Sequence, residues 1–224
     1  CSAIYQQALV DTMAHCFGAP SGTACGASGE VTISMQSGQT TREPGASARI
    51  SGVASLALEA GDGSAWPLAS VTVPDAFDQR KSATVLVMGP ASVTFESASG
   101  LPEGAVFTLE TASTPLCGEL PLPGLLVQSP QASLAQLRIN GTDLLVNGMA
   151  LIRARSGGTL QVSALTRETI LGQSGAVVFA GYGVSVAGEH AGAIAPYQPK
   201  EVAHLPVQVL PEIQRIALPG NATV

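Results

Sequence analysis

Charge is what this sequence has least of. Lys and Arg number 10 and Asp and Glu 16 among 224 residues, a charged fraction of 12%. An ordinary soluble domain carries about twice that, and a surface so poor in charge resists association only weakly. The net charge of −6 comes with no basic cluster, so the electrostatic footprint of a nucleic-acid binder is missing. Aromatic residues make up 4% and include one Trp. A core must therefore be built from Val, Leu, Ile and Ala, and stacking platforms for sugars (Trp66 and three tyrosines) are few. No apolar run approaches the roughly 20 residues that carry a helix across a bilayer, so no transmembrane segment is expected. Gly and Pro, at 25 and 15, follow no period, which excludes a collagen-like chain and implies many turns.

Cysteines are few but even in number: Cys1, Cys16, Cys25 and Cys117. They form no CxxC pair and have no His at metal spacing, which argues against zinc. Two disulfides in an exported protein fit better. A helix over residues 3–15 sets Cys1 and Cys16 roughly 20 Å apart, beyond the usual reach of a disulfide. Of the remaining pairings, Cys16–Cys25 with Cys1–Cys117 is favoured, and Cys1–Cys25 with Cys16–Cys117 is close behind. A chain that starts with Cys reads as processed. The rival reading makes Cys1 a lipid-modified residue, which would strand an odd cysteine among the other three.

Four segments organise the chain: 1–28, a helix and disulfide loop; 29–124, a first β domain; 125–190, a second β domain; and 191–224, an extended tail. Ile4, Ala8, Leu9, Thr12 and Met13 lie at helical spacing, with Ser2 as N-cap and Gly18 and Pro20 beyond the end. Val31, Ile33 and Met35 alternate with Thr32, Ser34 and Gln36, as a half-buried strand should. ATVLVMGP (83–90) is continuously apolar, as in a central strand. After Leu125 short strands are separated by Asn140-Gly141, Asn147-Gly148 and Gly157-Gly158, strong hairpin signals. The fold class read from this is all-β, an antiparallel sandwich or roll, with one short N-terminal helix. A repeat array is the competitor, but no fixed period is found.

Residues 125–187 resemble the FecR-type β domain. The resemblance is carried by a strand ending near Gln128-Ser129-Pro130, by ALIRARSGGTLQVSALT, and by the closing Ala180-Gly181-Tyr182-Gly183-Val184-Ser185-Val186. The layout of Cys1, Cys16, Cys25 and Cys117 is similar to that of exported bacterial proteins joining a Cys-bearing N-terminal helix to such a domain. The resemblance implies an all-β body and an envelope or extracellular location. It brings no catalytic residues.

No acid–base constellation of an enzyme is recognisable, so neither catalytic residues nor a cofactor are expected. His15, His190 and His204 read as surface residues. Ser174, in Gly-Gln-Ser-Gly, falls one residue short of a nucleophile elbow and lacks the following helix. Gly181, Gly183 and Gly188 precede no helix and do not form a dinucleotide fingerprint. Asp75, Asp78 and Glu103 offer oxygen ligands for calcium, but no loop dense enough to hold it. Asn140-Gly141-Thr142 and Asn221-Ala222-Thr223 fit the glycosylation pattern, making Asn140 and Asn221 candidate glycan sites, although Asn140-Gly141 is also an ordinary hairpin turn.

The tail is apolar and broken by Pro196, Pro199, Pro206, Pro211 and Pro219. Leu205, Val207 and Val209 alternate with polar or Pro positions, and Ile213, Ile216 and Leu218 continue the supply. Pro206 and Pro211 rule out one unbroken central strand, leaving short strands at 201–205 or 207–210 and at 212–218. The tail either folds back along its own domain or adds a strand to a neighbouring subunit, and the low charge favours the second. On that reading the protein is a non-enzymatic structural subunit of an extracellular filament or surface assembly, a homo-polymer. The alternative is a FecR-like envelope module binding a polysaccharide or protein partner.

Overall fold

The computed structural model describes residues 1–76, 78, 80–114 and 117–219. The N-terminus forms the expected helix, α1 (Ser2–His15). The chain then moves back and forth between two sheets. β1 (Thr23–Ser28) belongs to the first, β2 (Glu30–Met35) and β3 (Thr40–Thr41) to the second, β4 (Ser47–Arg49) to the first and β5 (Val53–Glu59) to the second. A hairpin of β6 (Leu68–Pro74) and β7 (Ser82–Met88) follows in the first sheet, and one of β8 (Ala91–Glu96) and β9 (Val106–Thr111) in the second. β10 (Gly124–Gln128) stands alone in the first. Then come β11 (Ala135–Ile139) with β12 (Thr142–Val146), β13 (Met149–Ala154) with β14 (Leu160–Ala164), and β15 (Glu168–Leu171) with β16 (Val177–Phe179). β17 (Tyr182–Ala187) completes the first sheet with the short β18 (His190–Ala191) and β19 (Ala195–Pro196), both paired to it.

The result is a sandwich of a ten-stranded and a nine-stranded sheet, which is the fold class expected from the hairpin signals. Strands are laid beside one another nearly in chain order: β4-β1-β6-β7-β10-β13-β14-β17-β18 in the first sheet and β3-β2-β5-β8-β9-β11-β12-β15-β16 in the second. Described pairings are antiparallel except β9 with β11. The solitary β10 explains that exception. A hairpin returns the chain to the end of the sandwich where it entered, whereas a single crossing leaves it at the other end, so β11 runs the same way as β9.

One apolar core fills the space between the sheets, drawing residues from Ala24 to Val186. The division at 124/125 read from the sequence is therefore not a division in space. β10 pairs with β7 on one side and β13 on the other, and the core passes through without a break. Ahead of β10, Cys117 is tied by a disulfide to Cys1 with Cα atoms 6.1 Å apart. The second disulfide joins Cys16 and Cys25, Cα atoms 5.8 Å apart. This is the favoured pairing.

The outer faces of the two sheets differ, as their sequences do. In β11 and β12 buried Leu137, Ile139, Leu144 and Val146 alternate with half-exposed Gln136, Arg138, Asp143 and Leu145, so the second sheet is solvated outside. β7 and β10 are apolar at successive positions. Val85, Val87, Leu125 and Val127 enter the sandwich core, while Leu86, Met88 and Leu126 point the other way into a second cluster. Each such side chain gains about 1.5–3 kcal/mol on burial, so this face needs a cover. α1 supplies part of it through Ala8 and Leu9, with Tyr5 against Trp66 at 5.5 Å between ring centroids.

The tail supplies the rest. Tyr197, Val202, Leu205, Val209 and Leu210 are buried in the same cluster, against the chain's own sheet. Ile216 and Val207 pack there partly, whereas Ile213 is 85% exposed and Leu218 44%. The expected strands at 201–205, 207–210 and 212–218 do not form. Instead Pro199 opens a short helix, α2 (Pro199–Val202), and Val207–Val209 make a 3₁₀ turn. Proline supplies the reason: it has no N–H for a ladder but is well placed in the first turn of a helix. The carboxylate of Glu201 accepts the Gln198 N–H at 3.2 Å, capping α2, and His204 takes φ +64°, turning the chain out of it.

The tail thus makes a loop over its own sheet. Gln128 Nε2 donates to the Glu212 carbonyl at 2.6 Å, Ala217 N–H donates to the Leu165 carbonyl at 2.7 Å, and the Tyr197 hydroxyl donates to the Ala217 carbonyl, closing the loop.

Candidate functional site

The tail leaves one end of the first sheet's outer face uncovered. There β13 and β14 are joined by a turn in which Arg155 N–H donates to the Thr159 carbonyl at 2.7 Å. Gly157 and Gly158 have φ of +79° and +77°, a left-handed pair that residues with a Cβ adopt only under strain. The turn is held to the second sheet by Thr111 Oγ1, which donates to the Ala154 carbonyl at 2.6 Å.

Three clefts meet at Arg155. One of about 420 Å³ runs to the second sheet and is lined by Thr108, Glu110 and Asn140. The second, about 510 Å³, lies between β13 and the crossover loop and is lined by Thr111, Ser113, Pro123, Arg153 and Gln161. The third, about 290 Å³, reaches Ser185, Tyr197, Gln198 and Glu201. Together they form a polar groove across the end of the sandwich. Arg155 is exposed and donates through its guanidinium to Gln161 Oε1, at 3.1 Å from Nε.

Arg153 differs from Arg155. It faces outward from β13, but α2 lies over it and its side chain is only 9% exposed. Its Nη2 has no hydrogen-bond partner. The facing carboxylate oxygen, Glu201 Oε1, stands 3.9 Å away. Burial pulls the Arg153 pKa down, Glu201 pushes it up, and Arg155 lowers it further. Arginine stays charged regardless, so the site holds a cation that is short of partners.

The other sequence candidates are scattered. His15, His190 and His204 are exposed. Ser174 donates no catalytic bond; its Oγ accepts the Ala176 N–H at 3.3 Å in a turn. Asp75 and Glu103 do line one cleft, of about 550 Å³, together with Arg49. Asp75 is nonetheless engaged by the Ser133 hydroxyl and by the Asp78 N–H at 3.0 Å, and among the described residues no three His, Cys, Asp or Glu gather as metal ligands. Trp66 is buried beneath α1 and offers no ring to a ligand. Asn140 pairs with the Leu109 backbone in both directions, accepting from N–H at 2.7 Å and donating to the carbonyl at 3.0 Å. Asn221 lies outside the described residues.

Arg153, Arg155, Gln161 and Glu201 are absent from the candidates read out of the sequence. One signal was present: in ALIRARS a charge interrupts an otherwise buried strand, and charged side chains are almost never buried unless paired. Glu201 could not have been matched to Arg153 without the fold. Comparison of the chain with protein-family models, curated proteins and solved structures finds no match.

Proposed function

We propose that this chain is a non-enzymatic recognition module of the cell envelope or extracellular space, of the FecR-like kind that residues 125–187 resemble, and that it binds a polysaccharide in the groove around Arg155. The observation that carries this reading is the junction of three clefts at one exposed arginine, over a floor of Gln161, Ser185 and Thr111. Such a floor recognises by hydrogen bonds, which suits a chain with few stacking rings. Two disulfides fit an oxidising compartment, and no described helix is long and apolar enough to cross a membrane.

The test is binding of the full chain to a panel of envelope and extracellular polysaccharides by calorimetry, with Arg155→Ala beside the parent. The reading expects at least a tenfold loss in the variant with an unchanged melting temperature. Equal binding by both proteins moves the site elsewhere and defeats it.

A second reading, a self-assembling structural subunit, is favoured by the outer side of α1 and the turn after it, where Val10 and Met13 are 60% and 46% exposed and Phe17 51%. Strand donation by the tail would first have to lift Leu205 and Val209 from their own sheet. Size-exclusion chromatography and negative-stain imaging of native material decide it: polymers support it, and a single monomeric species does not.

A further inference from the structure

We propose that the group read at the inner end of this groove is the carboxylate of an acidic sugar, taken up by Arg153, and that Glu201 holds its place in the unliganded chain. This rests on the groove being the binding site.

The argument begins with a mismatch. A side chain 9% exposed carries an Nη2 with no hydrogen-bond partner, and the facing carboxylate is 3.9 Å away. A charge-assisted N–H to carboxylate bond closes to about 2.7–2.9 Å. Glu201 is held back, because its other oxygen takes the Gln198 N–H at the start of α2. Arg153 is held from below as well. Its stem crosses Gly124, where a Cβ would stand 2.8 Å from Arg153 Cγ. The guanidinium is thus fixed in position with one nitrogen unserved.

Charge adds to geometry. Arg153 and Arg155 line the same cleft and are faced across the groove by Glu201, with Glu110 at the far cleft. Two guanidiniums thus line this cleft while one carboxylate, Glu201, stands near Arg153 at 3.9 Å, in a chain whose net charge is −6. Burial disfavours the charged form of Arg153, and an arriving anion relieves that. The geometry points to a carboxylate because Glu201 already turns one toward Arg153 without closing the bond. It selects a sugar because Gln161, Ser185, Thr111 and Ser113 surround the place with groups that bond hydroxyls. Uronate residues in a polysaccharide carry both.

The full chain is titrated calorimetrically with polygalacturonate and with polyglucuronate, each beside its methyl-esterified form, and with a sulfated galactan. The inference expects one acidic polymer to bind at least tenfold tighter than its ester. Glu201→Gln retains an oxygen for the Gln198 N–H and removes the charge, so it should bind the acid polymer about three- to tenfold more tightly. Arg153→Met should bind acid and ester alike. Free uronate should raise the melting temperature of Glu201→Gln more than that of the parent, and the neutral sugar should not. Equal affinity for acid and ester, with Arg155→Ala still destroying both, keeps the groove and overturns the carboxylate. Preference for the sulfated polymer also overturns it. No binding by any polymer, in parent or Glu201→Gln, overturns the groove reading along with this one.

Discussion

Gln128 holds the backbone of Glu212 at both of its polar groups, donating to the carbonyl at 2.6 Å and accepting the N–H at 3.0 Å. The side-chain amide does what a neighbouring strand would do, at a position 2% exposed. Gln128→Leu leaves both Glu212 groups without partners at a half-buried position, a loss at or below the roughly 1–3 kcal/mol that a fully buried stranded group costs. The expected result is a lowered urea midpoint with early proteolytic cleavage near residues 211–219. An unchanged cleavage pattern would show that the tail is held by other contacts.

Removal of the tail from residue 197 onward uncovers Leu126, Met149, Leu151 and Leu165 on the first sheet. The truncated chain is expected to bind a hydrophobic dye and to aggregate, and not to yield a well-behaved monomer. A soluble, monomeric truncation with the parent's melting temperature contradicts the covering role assigned to the tail here.

The two disulfides close loops of very different size, with sequence separations of 116 and 9. If both act by restricting the unfolded chain, the larger loop contributes about 5 kcal/mol and the smaller about 3 kcal/mol. Urea unfolding of Cys1→Ser/Cys117→Ser should therefore show the greater loss relative to Cys16→Ser/Cys25→Ser. The reverse order would mean that local packing, not loop closure, dominates.

Burial pushes the Tyr197 phenol up to about 12 from 10.0. The folded state thus holds this proton more tightly than the unfolded chain does. The stabilisation is complete below pH 10 and is lost as pH rises toward 12. Hydroxide titration should release the tail in that window, seen as proteolysis near 197–219, and Tyr197→Phe should not show the same step. Identical alkaline profiles for both proteins would remove Tyr197 as the cause.

Much of the sandwich was legible because its physics is local. The Val31/Ile33 alternation reports one wet face, the unbroken ATVLVMGP reports two dry ones, and Asn140-Gly141 and Gly157-Gly158 report turns with φ above zero. What could not be read depends on distant partners. The boundary at 124/125 looked real because the sequence from Pro115 to Pro123, PLCGELPLP, is turn-rich, while the pairing of β10 with both β7 and β13 leaves no trace in composition. The tail's apolar residues were visible, but α2 is decided by Pro199 and by the sheet beneath it. The groove was hidden for a similar reason: Arg153 acquires its meaning only when Glu201, 48 positions later in the sequence, arrives above it without reaching it.

The near-sequential order of strands in both sheets has a consequence for biosynthesis. Each new strand finds its partner among those just made, so the sandwich can grow from its first hairpins as the chain emerges, with few long searches. Two closures must wait: Cys1 for Cys117, and the hydrophobic face at Trp66, Leu86 and Met88 for residues beyond 200. A growing molecule therefore carries a sticky flank until the residues beyond 200 emerge and settle on it, so that stretch works as a seal over the first sheet.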